Sequence, residues 1–406
     1  MNGAAITALL AFRNLARNRR RSLLTIAAIA FALVCLLVFD ALKNGLHQKM
    51  VATATETDTG ALQIHAKEYG ANYISLSELA QPEQVVAELT ALGFGNYTRR
   101  LKTNGLILAG RKSAAVVLHG VVAEEEGRVT LVHQRMVSGR PPLAEREIMV
   151  GQGLARAFAV GLGGELAVMT KGVAGATVTR RLQITGIFAT GVVAFDQNHL
   201  FMNLPALQSF LAAGDMVSEI AVALPQHGLA AKAEQLRQGL GPAYQVETWQ
   251  EISPDLVQLI KLNDTTMMVL ILIVFLIVAM GIANTMTTIT FERFREFGTI
   301  AALGATPANI LGLVIAEALA LGLTASLIGS LVGGALCFYL GRYGIDLTAF
   351  TSANQYFSNN HILKAVVEWR QVVLTNCFTL LTATLAGILP AWTAARQNPV
   401  QALGHQ

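Results

Sequence analysis

Charge is what this sequence has least of. Only 14% of its 406 residues are Asp, Glu, Lys or Arg, against roughly 25% in ordinary soluble domains, and its mean hydropathy is +0.49. That shortfall argues against a wholly soluble chain and points at lipid. Cysteine is scarce too. Cys35, Cys337 and Cys377 all fall inside apolar runs, so residues 43–262 hold none and no disulfide can staple them; each thiol reads as a small buried hydrophobe. Catalytic signatures are missing: there is no HExxH, no G-x-S-x-G and no close Cys–His group among eight scattered histidines. His119 and His133 accordingly read as surface or satisfied core residues rather than ligands. No G-x-x-x-x-G-K-[ST] occurs, and no Gly-Lys dipeptide; Gly105–Ser113 (GLILAGRKS) is a near miss carrying an extra Arg, so no ATP site, catalytic residue, metal or bound cofactor is expected in this chain.

What the sequence does contain is apolar runs, four of them, around a stretch of ordinary globular composition. Leu23–Phe39 is 17 residues without charge, with Ser22 and Asp40 expected to mark its ends. Met267–Ile289 is the second, with Asn263 and Asp264 as candidate caps and Ile252–Leu262 as an amphipathic approach that makes a stalk. Ile310–Leu340, the third, would span about 46 Å as a helix against a hydrocarbon core of about 30 Å, so it must tilt, break or project. Val372–Trp392 is the fourth, with Pro390 at its end. A cleaved signal peptide is the competing reading of the first run, but the run is too long and Ala52-Thr53-Ala54 lies too far beyond it.

The net charge of +4 does not call for nucleic acid. Arg13, Arg17, Arg19, Arg20 and Arg21 stand directly before the first run, where they set membrane topology. Residues 4–20 place Ile6, Leu9, Leu10 and Phe12 on one side of an interfacial amphipathic helix. Between the first two runs, Ala61–Ala66 and Ala114–Val122 alternate as strands do, and Glu78–Leu92 has a helical period closed by Gly93. The expected fold is therefore a membrane protein with four transmembrane α-helices, an amphipathic N-terminal helix, and a large α+β extracytoplasmic domain between helices 1 and 2. In chain order this gives a cytoplasmic helix 1–21, spans 22–42, 263–291, 307–341 and 372–393, the outer domain 43–262, a cytoplasmic segment 292–306, an outer loop 342–371 and a cytoplasmic tail 394–406. Both termini are expected in the cytoplasm by the positive-inside rule.

The segment Phe291–Ile310 (FERFREFGTIAALGATPANI), directly after the second run, resembles the cytoplasmic coupling loop of the FtsX-like, MacB-type ABC transporter permease family. Leu389–Leu403 (LPAWTAARQNPVQAL) resembles the family's C-terminal tail, and Glu147–Leu166 a segment of its extracytoplasmic domain. Ile184–Asp196 (ITGIFATGVVAFD) reads more like the lipoprotein-release branch, LolC and LolE, than like MacB. The family's order of parts covers the whole chain. The resemblance implies a bacterial inner-membrane permease driven by a separate cytoplasmic ABC ATPase subunit that holds ATP and Mg. It further implies a second permease copy or paralogue, a periplasmic carrier or outer-membrane component, and release of a lipoprotein or other amphiphile by mechanotransmission. A signalling permease that activates a partner such as a cell-wall hydrolase, moving no substrate, is the alternative.

Three groups of residues carry these expectations. In the loop, Glu292, Arg293, Arg295 and Glu296 face water or a partner, while Phe297, Ile300 and Leu303 recur at helical spacing and could fill a partner's groove; Gly298, Gly304, Ala305 and Thr306 complete the coupling set. Thr306-Pro307 reads as a helix start with a hydroxyl cap. On pattern alone a solvated loop that only sets topology fits equally well. In the third run, Ala325, Gly329 and Gly333, and Gly322, Ser326, Ser330 and Gly334, recur at fourfold spacing for close helix approach, within the subunit or against a second permease. Glu317 is the one acidic residue deep in a run. A relay or substrate contact is one reading, and an interface packing residue the favoured one, because nothing in the sequence pairs with it.

Overall fold

The computed structural model describes residues 11, 13–14, 19–67, 78–346 and 362–396. Most of the expected N-terminal amphipathic helix, residues 347–361 of the outer loop and the tail from 397 lie outside the described residues. The chain forms two compact units, one of Met1–His47, Ile260–Ile345 and Leu363–Gln406, the other of Gln48–Leu259 and Asp346–Ile362.

The first unit is built from α1 (Arg19–Ala54), α2 (Pro254–Glu292), the short α3 (Phe294–Ala302), α4 (Pro307–Tyr343) and α5 (Trp369–Ala395). Among the described residues α1, α2, α4 and α5 are long and apolar enough to cross a membrane. The helices outrun the apolar runs, and three expectations about their ends change. Asp40 lies inside α1, where its carboxylate pairs with Lys43 one turn on at 3.2 Å. Asn263 and Asp264 do not cap α2 but sit within it: Lys43 Nζ reaches Asp264 at 3.1 Å and Asn263 Nδ2 donates to His47 Nε2 at 3.0 Å. Polar groups near the end of an apolar run tie α1 to α2 here, an outcome that sequence cannot distinguish from capping. Pro390 stands inside α5 rather than ending it, and α4 runs 37 residues without a break.

Small residues let these helices meet. On α4, Cβ atoms built at Gly329 and Gly333 would lie 2.9 Å from Leu33 Cδ2 and 3.0 Å from Leu37 Cδ1 of α1. One built at Gly322 would lie 2.8 Å from Ala383 Cβ of α5. Ala325 is fully buried; Ser326 and Ser330 both donate to Asn376 Oδ1 of α5, the latter at 2.9 Å. Six of the seven small residues are thus used within the subunit, and only Gly334 faces open space. Ile29, Ile282, Phe297, Val314 and Leu321 complete the core they surround.

The second unit is a ten-stranded mixed sheet: β1 (Leu62–Ala66), β2 (Tyr97–Ala109), β3 (Lys112–Val121), β4 (Met136–Gly139), β5 (Glu147–Gly151), β6 (Glu165–Lys171), β7 (Thr177–Phe188), β8 (His199–Asn203), β9 (Glu219–Val222) and β10 (Tyr244–Thr248). Its order is β10-β1-β9-β2-β3-β8-β5-β7-β4, with β6 pairing β2 and β7. The Gly105–Ser113 near miss is the β2–β3 hairpin, with Ala109 paired to Lys112 across Gly110, so it has no strand–loop–helix shape to hold phosphate. The helix Pro82–Ala91 ends as its glycine predicts: Gly93 at φ 77° donates to Thr90 and Phe94 donates to Leu89, a Schellman motif. The two outer-domain segments noted in the sequence meet each other. Asp196 gathers the Thr190 and Gly191 amides at 2.9 and 3.0 Å, and its carbonyl oxygen would lie 2.1 Å from any Cβ at Gly151.

Candidate functional site

The turn between α2 and α4 is set by two backbone breaks. α2 stops at Arg293, which leaves helical geometry at φ −101°, ψ 16°. α3 stops at Gly304, whose φ of 97° suits glycine; Gly304 donates to Ala301 and Ala305 to Ile300, again a Schellman end. Pro307 opens α4 at its first turn as expected, but Thr306 makes no side-chain cap. Its carbonyl instead takes the amides of Asn309 and Ile310 at 2.9 and 3.3 Å.

The coupling residues divide into two faces. Glu292, Arg295, Gly304 and Thr306 are exposed, Glu296 and Ala305 half-buried, and Leu303 is 83% exposed. Of the three apolar residues expected to fill a partner's groove, Phe297, Ile300 and Leu303, only Leu303 is fully open, at the tip of the short helix. Arg293 (8% exposed), Phe297 (1%) and Gly298 point inward, against expectation. Phe297 fills its own subunit's core with Ile310 and Val314 rather than a partner's groove.

Arg293 is inward because Glu317 needs it. Glu317 of α4 is 3% exposed, and a carboxylate in that setting requires a counter-charge. Arg293 Nη1 donates to Glu317 Oε1 at 2.7 Å, while its Nε donates to Glu296 at 2.8 Å and its guanidinium lies 5.1 Å above the Phe297 ring. Asn14 Nδ2 adds a second bond to Glu317 Oε1 at 2.6 Å. Burial works against the Arg293 charge, but Glu317 and Glu296 outweigh it and hold the guanidinium protonated above its usual range. Glu292 pairs with Arg21 of α1. The partner missing from the sequence reading of Glu317 lies 24 positions away and arrives only when α3 folds back.

A second polar constellation, in the sheet unit, went unread. Arg100 of β2 stands opposite Glu219 of β9 in register and pairs with it at 3.1 Å. Its other nitrogens grip Glu126 at 2.7 and 2.8 Å and its Nη1 donates to the Asp58 carbonyl at 2.6 Å. Lys102, on the same face, pairs with Asp58 at 2.9 Å and Glu219 at 3.0 Å. Burial alone would neutralise these groups. Opposite charges win: Asp58 and Glu126 are held below the usual carboxylate range and Arg100 and Lys102 above theirs. Asp58 belongs to the π-helical turn Thr55–Thr59 that follows α1. The only sequence signal was Thr98, Arg100 and Lys102 at period two, which reads as a solvated face.

Beside it lies a histidine group. His119 Nε2 is 2.8 Å from His199 Nδ1, His119 stacks on Phe201 with centroids 4.6 Å apart, and His199 on Phe195 at 3.9 Å. His119 Nδ1 and both His133 nitrogens are buried without a hydrogen-bond partner, so neither His119 nor His133 is the surface or satisfied core residue expected. Burial, and for His119 and His199 nearby Lys102, disfavour the imidazolium, lowering all three and bringing His199 to about 4. Below about pH 6.5 the unfolded chain therefore binds protons that the folded unit refuses. Stability is full above that pH and falls as pH drops toward 4. Hydrogen exchange of β3 and β8 amides in the detergent-solubilised chain should show protection falling steeply between about pH 6.5 and 4.5. Protection that stays flat across this window would contradict the buried neutral imidazoles.

Four apolar helices, a short two-faced helix between the second and third of the spans, and a large sheet unit inserted after the first define a multi-pass membrane protein. Residues 22–238 match the MacB-like periplasmic core domain and residues 268–399 the FtsX-like permease C-terminal domain. The chain belongs to this family and is an ABC transporter permease of the MacB/LolC/FtsX type, whose members work with a cytoplasmic ATPase. It is 22% identical over 319 residues to the lipoprotein-releasing system transmembrane protein LolC of Xylella fastidiosa (strain 9a5c), covering 74% of this chain and 75% of that one. It is 26% identical to the ABC transporter permease YknZ of Bacillus subtilis (strain 168), covering 55% and 54%. Among solved structures, the periplasmic region of MacB from Actinobacillus actinomycetemcomitans covers 52% of this chain and 95% of its own length at 13% identity, with a TM-score of 0.34, too low to bear on the fold.

Proposed function

We propose that this chain is the force-transmitting membrane subunit of a transporter whose ATPase is a separate cytoplasmic chain carrying ATP and Mg, and that it releases a lipoprotein or similar amphiphile from the inner membrane. The observation that carries the reading is the two-sidedness of α3, with Leu303 and Arg295 open on one face and Phe297 seated in the subunit core on the other. Closure of the ATPase dimer pushes on α3. α1 and α2 both continue unbroken past the edge of the helical unit, so displacement of their lower ends passes along the chain into the sheet unit. With the arginine-flanked N-terminus inside, the sheet unit is periplasmic and both termini are cytoplasmic. A second permease, identical or paralogous, pairs with this one, and a periplasmic carrier or outer-membrane component receives the cargo.

The test is purification in mild detergent from native membranes. An ATPase should copurify, and Leu303→Asp with Arg295→Glu should cut its recovery by about tenfold, the loss of one interface anchor. Undiminished recovery would rule α3 out as the dock. Mass spectrometry of the same sample should find acylated protein or lipid; a complex carrying a hydrolase and no amphiphile would favour signalling over transport. Protease added to spheroplasts should cut within 48–259, and protection there would reverse the topology.

A further inference from the structure

Apolar packing holds α3 against α4 through Phe297, Ile310 and Val314. Such contact is non-directional, so on its own it would let a pushed α3 roll or slide over α4. The Arg293–Glu317 pair supplies direction. Its carboxylate is 3% and its guanidinium residue 8% exposed, at 2.7 Å. The same guanidinium is fixed to α3 through Glu296 and over the Phe297 ring. Arg293 is also the residue at which α2 ends, so one side chain joins the end of α2, the first turn of α3 and α4 about three turns from its start.

We infer that Arg293 and Glu317 are a positioning pair that makes α3 and α4 move as one body, so that a push received by α3 becomes displacement of α4 instead of local slippage. The inference rests on α3 being the ATPase dock, and it adds a division of labour: Leu303 and Arg295 bind the ATPase, and Arg293 with Glu317 transmit. Asn14 donates to the same carboxylate oxygen at 2.6 Å, a second tether that restrains Glu317 from following Arg293 if α3 slips. Charge matters here as well as shape, because charge-assisted bonds are shorter and stronger than neutral ones.

The test uses the full chain in complex with whichever ATPase copurifies with it. Glu317→Gln keeps the shape and the hydrogen bonds and removes the charge. Its complex should retain the ATPase at unchanged stoichiometry and KM for ATP within about twofold, while permease-dependent turnover falls by about tenfold. Arg293→Lys keeps the charge but cannot reach Glu317 and Glu296 together, and should give intermediate turnover with normal recovery; it decides the matter if Glu317→Gln is not recovered folded. Wild-type turnover in whichever variant is recovered would overturn the inference, and so would loss of the ATPase itself, since the pair would then serve docking. Should the unaltered chain bring down no ATPase, it is the docking reading of α3 that fails instead.

Discussion

Arg100→Met should unfold the core of the sheet unit, costing about 3–5 kcal/mol, the range for removing one partner of a buried ion pair. Folded domains have only about 5–15 kcal/mol in hand. Arg100 is 1% exposed and faces Glu126 and Glu219, which are 1% and 0% exposed. Methionine fills similar space but removes the guanidinium from Asp58, Glu126 and Glu219, leaving Lys102 on Asp58 and Glu219 and no cation on Glu126 but only the Thr98 and Thr130 hydroxyls. The damage carries a pH signature. In the intact unit burial would raise the Glu126 pKa, but Arg100 outweighs it and Glu126 stays below its ordinary value. It therefore contributes stability above about pH 4.5, lost as pH falls through the lower folded value. Without Arg100 the sign inverts: the buried carboxyl prefers its proton, and the penalty grows as pH rises above about 4.5. Hydrogen exchange of β2 and β9 peptides in the detergent-solubilised chain should show protection lost at pH 8 and partly regained at pH 6.5, above the window in which the buried histidines destabilise the unit. Equal protection in both proteins at pH 8 would mean that the cluster contributes little to the fold.

The same cluster marks where sequence reading stops. Long apolar runs declare themselves because lipid imposes length and composition together, so all four spans and the connection after the second were legible, as was an α+β unit between the first two. Polar residues were not. Thr98, Arg100 and Lys102 alternate as a wetted strand face does, and only the arrival of Asp58, Glu126 and Glu219 from three other segments makes that face interior. Glu317 was visible as an anomaly and its need for a partner was not met on paper, because helix periodicity cannot bring position 293 to position 317; a chain reversal at Gly304 does. In the loop, spacing grouped Phe297 with Leu303, yet one is buried and the other open, since six residues on a helix are about 120° out of a full turn and so need not share a face. The lesson from Asn263 and Asp264 is similar: a polar residue beside an apolar run is equally consistent with a cap and with a cross-link to the neighbouring helix.

Gly322→Leu is expected to separate α4 from α5. The seam between them is reciprocal. A Cβ at Gly322 would lie 2.8 Å from Ala383 Cβ, and one at Gly387 would lie 2.6 Å from Ala318 Cβ. Ala318 and Gly322 on one helix thus oppose Gly387 and Ala383 on the other, each pair four residues apart, a small-xxx-small face used in both directions. In lipid no hydrophobic force pulls two helices together, so such close contact is most of what holds them. Leucine at 322 adds four carbons where there is no room for one. Either α5 moves outward, giving up the Ser326 and Ser330 bonds to Asn376, or the side chain takes a strained rotamer; overpacking costs about 1–3 kcal/mol or more. The detergent-solubilised chain should lose thermal stability sharply, while Gly334→Leu, at a site with nothing within 4 Å, should leave it unchanged. That contrast separates the two uses of small residues on α4. If Gly334→Leu instead spares the monomer but disperses a permease pair, the open glycine belongs to the interface between copies; if both substitutions are tolerated alike, the seam is not what holds α4 and α5 together.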